Sequence, residues 1–298
     1  MDITSIRTIA LTTLLCLLLG CHRPGPVQVQ PDDDGVTEVQ AVSGSSEVGN
    51  EQDTVGLVAA EKSRYAGFLV AAEARFDTQE DTTTIETAGA VFLDQNKTVV
   101  IDGDTIGFES VDAGIVLIDG LPLYRLPRRL RFSGDPGARD TLVGVRYRLV
   151  SRDGVGGRGF SYSPEHLYEW SNLYPDGFTF DVRGLSAQRV RVTSPTAKDE
   201  VSRRHNLVVE WIGGEEVIDL IVSVPRPGGE SRPLFRMKLR NAKRHIVIPA
   251  KIMQLLPANR LIFSFVSQKN LDTQFTGFQG AVLVHSASIH NIIVTVKQ

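Results

Sequence analysis

The sequence predicts an all-β chain of two antiparallel β-domains: a sandwich or barrel over residues 55–186 and a sandwich over residues 187–298. Two observations lead there. Beyond residue 55, apolar and polar residues alternate with period two, in short runs separated by Gly, Pro, Asn and Asp. The runs recur at the close, regular spacing of sandwiches and barrels. A length of 298 residues leaves room for about two domains, and 42% hydrophobic residues can fill their cores. The chain has two cysteines, Cys16 and Cys21, both near its start. Residues 55–298 therefore depend on burial and hydrogen bonding, with neither a disulfide nor a thiolate metal site.

Residues 1–20 read as a secretory signal. Arg7 precedes an apolar run from Ile9 to Leu19, broken by Thr12 and Thr13, and the small Gly20 follows. The run is shorter than the ~20 residues that a permanent span requires. Leu18-Leu19-Gly20-Cys21 resembles the bacterial lipobox, in which a small residue precedes an invariant cysteine. The resemblance implies a lipid on the Cys21 thiol, cleavage after Gly20, and acylation of the new N-terminus with a chain such as palmitate. Cys16, behind bulky Leu15, fits that pattern less well. In that family Asp after the cysteine favours retention at the inner membrane, so His22 implies the outer membrane, with the leaflet left open.

Residues 21–54 are expected to form an acidic, disordered tether. Residues 22–54 carry seven acids against one base, Arg23, and contain no aromatic residue, Leu or Ile. Such a stretch cannot offset its ordering entropy. As a coil it would reach ~30 Å. Residues 55–298 balance 30 bases against 27 acids, which is not the charge of a nucleic-acid binder.

In the first domain, Phe68, Val70, Ala72, Ala74 and Phe76 share one strand face, with Glu73 and Arg75 opposite. Runs at 91–93 and 98–101 flank Asp94-Gln95-Asn96-Lys97, a hairpin candidate, and Asp102-Gly103 and Asp119-Gly120 mark further turns. Val143, Val145, Tyr147 and Leu149 alternate with Gly144, Arg146 and Arg148. Residues 152–186 form an aromatic-rich loop and helix: Ser163-Pro164-Glu165 carries N-cap and first-turn chemistry, predicting a short helix to about Ser171. Residues 160–180 hold seven of the 21 aromatics, the densest cluster in the chain.

From Val190 on, strands are expected at 190–192, 207–211, 218–222, 235–239, 246–248, 261–266, 281–284 and 292–296, with a helical turn at 252–256. This part resembles fibronectin type III and related immunoglobulin-like modules of bacterial surface proteins. Leu207-Val208-Val209-Glu210-Trp211 is similar to that family's second strand, whose tryptophan packs in the core. Leu255 to Leu261 is similar to its Leu-x-Pro-Gly-Thr-x-Tyr corner, with Ala258 in place of the glycine and Leu261 in place of the tyrosine. Such modules space, dock or bind.

Enzyme signatures are mostly missing. Gly159-Phe160-Ser161-Tyr162-Ser163 lacks the last glycine of a nucleophile elbow. His166 and Glu169 want a third metal ligand, and Gly154 to Gly159 lacks the lysine of a phosphate loop. Asp102 and Asp104 read as turn formers, and His205, His245, His285 and His290 as surface or edge positions. No catalytic residue, metal ligand or cofactor is assigned. Two binding candidates remain. Tyr162, Tyr168, Trp170 and Tyr174 either stack on a sugar or partner, or pack the loop onto the sandwich. Arg128, Arg129 and Arg131, with Arg125, Arg139, Arg146 and Arg148, either grip carboxylate or phosphate, or guard a strand edge with charge. The expected function is a non-catalytic structural or interaction module of the cell envelope, held to the bilayer through acylated Cys21 and partnered by an envelope protein or a glycan. The alternative is a glycan-binding module, or a carbohydrate-active protein, using the 160–180 aromatics.

Overall fold

The structure, a computed structural model, describes residues 36–41, 64–101, 104–134, 137–152, 160–175, 177–225 and 231–298. It is almost wholly β. Ten strands lie before residue 186: β1 (Val36–Ala41), β2 (Gly67–Asp77), β3 (Thr82–Ile101), β4 (Asp104–Ser110), β5 (Ile115–Ile118), β6 (Leu121–Pro122), β7 (Tyr124–Gly134), β8 (Gly137–Arg152), β9 (Leu167–Leu173) and β10 (Asp181–Leu185). Then come β11 (Val190–Ser194), β12 (Glu200–Ser202), β13 (Leu207–Gly213), β14 (Val217–Pro225), β15 (Ser231–Arg240) and β16 (His245–Ile248). A single helical turn, α1 (Ala250–Met253), leads to β17 (Arg260–Thr273) and β18 (Val282–Lys297).

One large sheet runs β1-β15-β14-β17-β18-β2-β3-β8-β7, with β4 on β3 and β12 on β18. Two smaller sheets, β11-β13-β16 and β10-β9-β5-β6, cover its two halves. Pairing is antiparallel except where β18 meets β2 and β12. In the C-terminal half, β11-β13-β16 faces β15-β14-β17-β18, the immunoglobulin-like arrangement of three strands against four. Trp211 of β13 lies in this core beside Phe265, its indole N–H donated to Asn241 Oδ1 at 2.7 Å. Leu261, Phe263 and Phe265 are fully buried, each contributing ~2 kcal/mol of apolar transfer. In the N-terminal half, β2, β3, β8 and the start of β18 face β10-β9-β5-β6 around Phe92, Tyr147 and Trp170.

β17 and β18 belong to both halves. Leu261 to Phe265 and Ile292 to Val296 pack in the C-terminal core, whereas Val282 and Val284 pack in the N-terminal one. The expected strands at 281–284 and 292–296 are thus ends of one 16-residue strand.

Three expectations change. Within the 21–54 tether, Val36–Ala41 is a strand on the outer edge of β15, where Val36 and Val39 suit an extended edge position. The hairpin expected at Asp94-Gln95-Asn96-Lys97 is a bulge inside β3, between Asp94 and Thr98. It is closed locally: the Asn96 N–H donates to Asp94 Oδ1 at 3.1 Å and the Asn96 side-chain amide to Gln279 Oε1 at 2.8 Å. The expected helix at 163–171 is strand β9. Glu165 takes a left-handed φ of +57°, and Leu167 to Leu173 alternate exposed and buried. The Ser-Pro-Glu chemistry serves a turn into a strand.

Candidate functional site

The aromatic cluster is core. Tyr162, Tyr168 and Trp170 are 2%, 3% and 1% exposed, whereas Tyr174 is 85% exposed. The Tyr162 hydroxyl donates to the Ala187 carbonyl at 2.8 Å and meets Ser286 Oγ at 3.0 Å. The Tyr168 hydroxyl accepts the Ser163 N–H at 2.7 Å, and burial pushes its pKa up to about 12. The rings of Tyr162, Tyr168 and Trp170 hold residues 160–187 onto the sandwich and turn no face to solvent, whereas Tyr174 stands outside that core.

Their outer neighbours border a groove of about 310 Å³ between β10 and the far half of β17. Gly184 makes this geometry possible, because a Cβ there would stand 2.5 Å from Val284 Cγ1 and wedge the sheets apart. Leu167 and Leu185, directly opposed on β9 and β10, and Leu271 across the groove are each nearly half exposed. β10 is the end strand of its sheet, and β14 leaves β17 at Ser267, so Gln268–Thr273 has no ladder neighbour on that side among the described residues. The polar groups at the rim are engaged. Lys269 Nζ lies 3.2 Å from Glu215, Arg183 pairs with Glu169 at 2.6 Å, and His285 Nδ1 meets Asn270 Oδ1 at 2.6 Å. Chemically this is a receptor for apolar groups bordered by strand edges.

The arginines divide. Arg128 is buried, donating to the Phe108 carbonyl at 2.7 Å. Arg129 is exposed, and the Arg131 side chain lies outside the described residues, although its backbone pairs with Asp140. Arg125 pairs with Asp112 at 2.5 Å. Burial alone would raise the Asp112 pKa, but hydrogen bonds from the Tyr147 hydroxyl, the Gly114 N–H and Arg125 outweigh it and hold it below the usual value. A bulge at Gly144 (φ +115°) seats β8 over β4, where a Cβ would meet the Ser110 carbonyl at 2.5 Å. Ser110 Oγ staples that bulge, donating to the Val143 carbonyl at 3.2 Å and accepting the Val145 N–H at 2.7 Å.

Sequence reasoning missed a buried polar junction between the sandwiches. Glu73, 1% exposed, accepts from Arg189 at 2.9 Å, Arg191 at 3.0 Å and the Ser288 hydroxyl at 2.7 Å. His285 and His290, expected near the surface, are each 1% exposed. His290 Nδ1 accepts the Val192 N–H at 2.7 Å, which leaves Nε2 to donate to Asp77 at 2.8 Å. Burial lowers the His290 pKa, despite Asp77. The available hint was a polar run, His285-Ser286-Ala287-Ser288, between apolar strand ends. His205 and His245 are exposed, as expected. His166 pairs with Asp119 at 2.8 Å. Among the described residues, no three His, Cys, Asp or Glu side chains gather as a metal-holding group. Gly20, Cys21 and Asp102 lie outside the described residues.

No family model matches the chain, and no curated protein matches it. Among solved structures, the chain is similar to the fibronectin(III)-like modules of Clostridium thermocellum CbhA, at 12% identity over 77% of this chain and 94% of that one, with a TM-score of 0.21.

Proposed function

We propose that the chain is an exported lipoprotein, anchored in the outer membrane through Cys21, whose two-sandwich body is a non-catalytic interaction module of the cell envelope. The observation that carries the anchor is the run Ile9 to Leu19 ending in Leu18-Leu19-Gly20-Cys21. A diacylglycerol and an amide-linked chain exceed the two signals that stable anchoring takes. Supporting the interaction reading is the groove, whose leucines stand in solvent while its charged rim groups are already neutralised by Glu215 and Glu169.

Membrane fractionation tests the anchor. Wild-type protein partitions into detergent and carries acyl mass on Cys21, whereas Cys21→Ala leaves an uncleaved or soluble exported form with an unchanged body. Wild-type protein that is soluble without detergent overturns the reading.

A further inference from the structure

The large sheet has a second buried face. Directly opposed residues of a ladder share a face. Val266, Ile289 and Ala74 lie in one such row, and Leu283, Phe68 and Val91 in another. Alternation turns both rows away from Phe265, Val284 and Leu69, which pack under the two smaller sheets. Val266, Ala287, Leu283 and Phe68 are nevertheless 3% exposed or less. On the same face Arg236 and Asp219, paired at 2.7 Å, are 5% and 4% exposed. Among the described residues, this cluster draws its members from the large sheet and the residues leading into it, with no second layer. A sheet buries an apolar face only against another element.

We propose that residues 42–63 of the same chain cross this face, and that Val55-Gly56-Leu57-Val58-Ala59-Ala60 closes it as a third core. The two ends of the segment carry the argument. Ala41 leaves β1 beside Phe235, at the outermost strand, and Arg64 enters β2 past Tyr65, whose hydroxyl donates to Asp272 at 2.7 Å. β1 and β2 run in the same direction, because four antiparallel steps and one parallel step separate them. Such a pair requires a crossover of a dozen residues or more, and 22 are present. The crossing is ~24 Å over the strand spacings and ~30 Å along the strands, from the level of Phe263 to that of Asp272, or ~40 Å on the diagonal. A segment of this length extends to ~75 Å. Over the other face the path must also climb the smaller sheets and return, about 20 Å each way, which exhausts that length. The buried track from Arg236 and Asp219 through Val266 to Leu283 and Phe68 follows the short diagonal, whereas Phe76, off it, is 36% exposed. Between residues 42 and 63, Val55 to Ala60 is the longest run without a polar side chain.

Full-length protein in detergent, carrying the photo-crosslinking substitution Leu57→benzoylphenylalanine, is irradiated and its peptides are mapped. Crosslinks fall within one chain, onto peptides that hold Phe68, Val266 or Leu283. Leu57→Asp binds about three-fold more of an apolar dye than wild type and lowers the urea midpoint, while Val27→Asp, outside the segment, leaves both unchanged. Crosslinks to a second copy overturn the proposal in favour of a paired assembly. Crosslinks to detergent in place of the sheet overturn it in favour of a lipid-facing surface. No crosslink to the sheet, or a Leu57→Asp midpoint equal to that of wild type, overturns it as well. The mapping keeps an apolar side chain at position 57, so it stands even where Leu57→Asp fails to fold. No outcome depends on whether Cys21 is acylated.

Discussion

Glu73 sits on the wrong face of its strand for a simple amphipathic reading, and that placement is its role. The carboxylate ties the segment joining the sandwiches to the middle of β18 through Arg189, Arg191 and Ser288. Removing one partner of a buried ion pair is costly because the other charge remains. Glu73→Ala should lower stability by about 3 kcal/mol, the low end of that range, because Arg189 can turn to solvent. Urea denaturation reads the loss, and a change below 1 kcal/mol would refute the role. His290 gives a pH dependence of definite sign. Its Nδ1 is occupied by the Val192 N–H, so protonation would set two donors against each other. Arg75 and Arg191 also face it, and the Asp77 carboxylate lies at its side. With the folded pKa below 6.5, the unfolded chain binds a proton that the folded chain refuses, so stability falls as pH drops through 6.5. For Asp77, burial opposes ionisation but hydrogen bonds from Arg75, Thr82 and His290 prevail, so its contribution holds above 3.8 and is lost in stronger acid. The urea midpoint of wild type should be lower at pH 5.5 than at pH 7, and His290→Gln should flatten that slope. Parallel slopes would dismiss His290 as its source.

At the scale of elements, alternation made most strands legible, because a strand with one buried face writes its burial into the sequence. β9 shows how a local signal can lose. Ser163-Pro164-Glu165 has helix-start chemistry, yet Tyr168, Trp170 and Asn172 alternate inward, and core packing decides. Asn172 binds the chain on both sides, donating to the Ala113 and Phe178 carbonyls and accepting the Phe180 N–H. The continuity of β17 and β18 was hidden for another reason. Their middle is polar, so it read as a break, whereas Ser286, Ser288 and His290 are polar because the joining segment needs partners there. As for the candidate sites, Tyr174 and Arg129 are exposed as a binding role requires, but Tyr162, Tyr168, Trp170 and Arg128 are interior. Composition does not distinguish an aromatic that stacks from one that packs.

For the whole molecule, a shared strand pair means shared stability. The chain has two tryptophans, Trp170 in one core and Trp211 in the other, so each half reports on itself. With β17 and β18 threading both cores, neither half can lose them and keep its sheet. Trp170→Phe and Trp211→Phe should therefore show fluorescence transitions in denaturant with matching midpoints, once corrected for each substitution's own cost. Well-separated midpoints would mean independent domains. β1 bears on a different property, the territory this body would cover at a membrane under the anchoring proposed at Cys21. A free segment of residues 22–54 would allow a leash of about 115 Å at full stretch from Cys21. With Val36 held on β15, 14 residues separate it from Cys21, a span of at most about 50 Å. The area swept around a fixed anchor scales with the square of that length, so docking this strand shrinks it about five-fold. Under that anchoring, a partner held in the same membrane patch would be met at a correspondingly higher effective concentration.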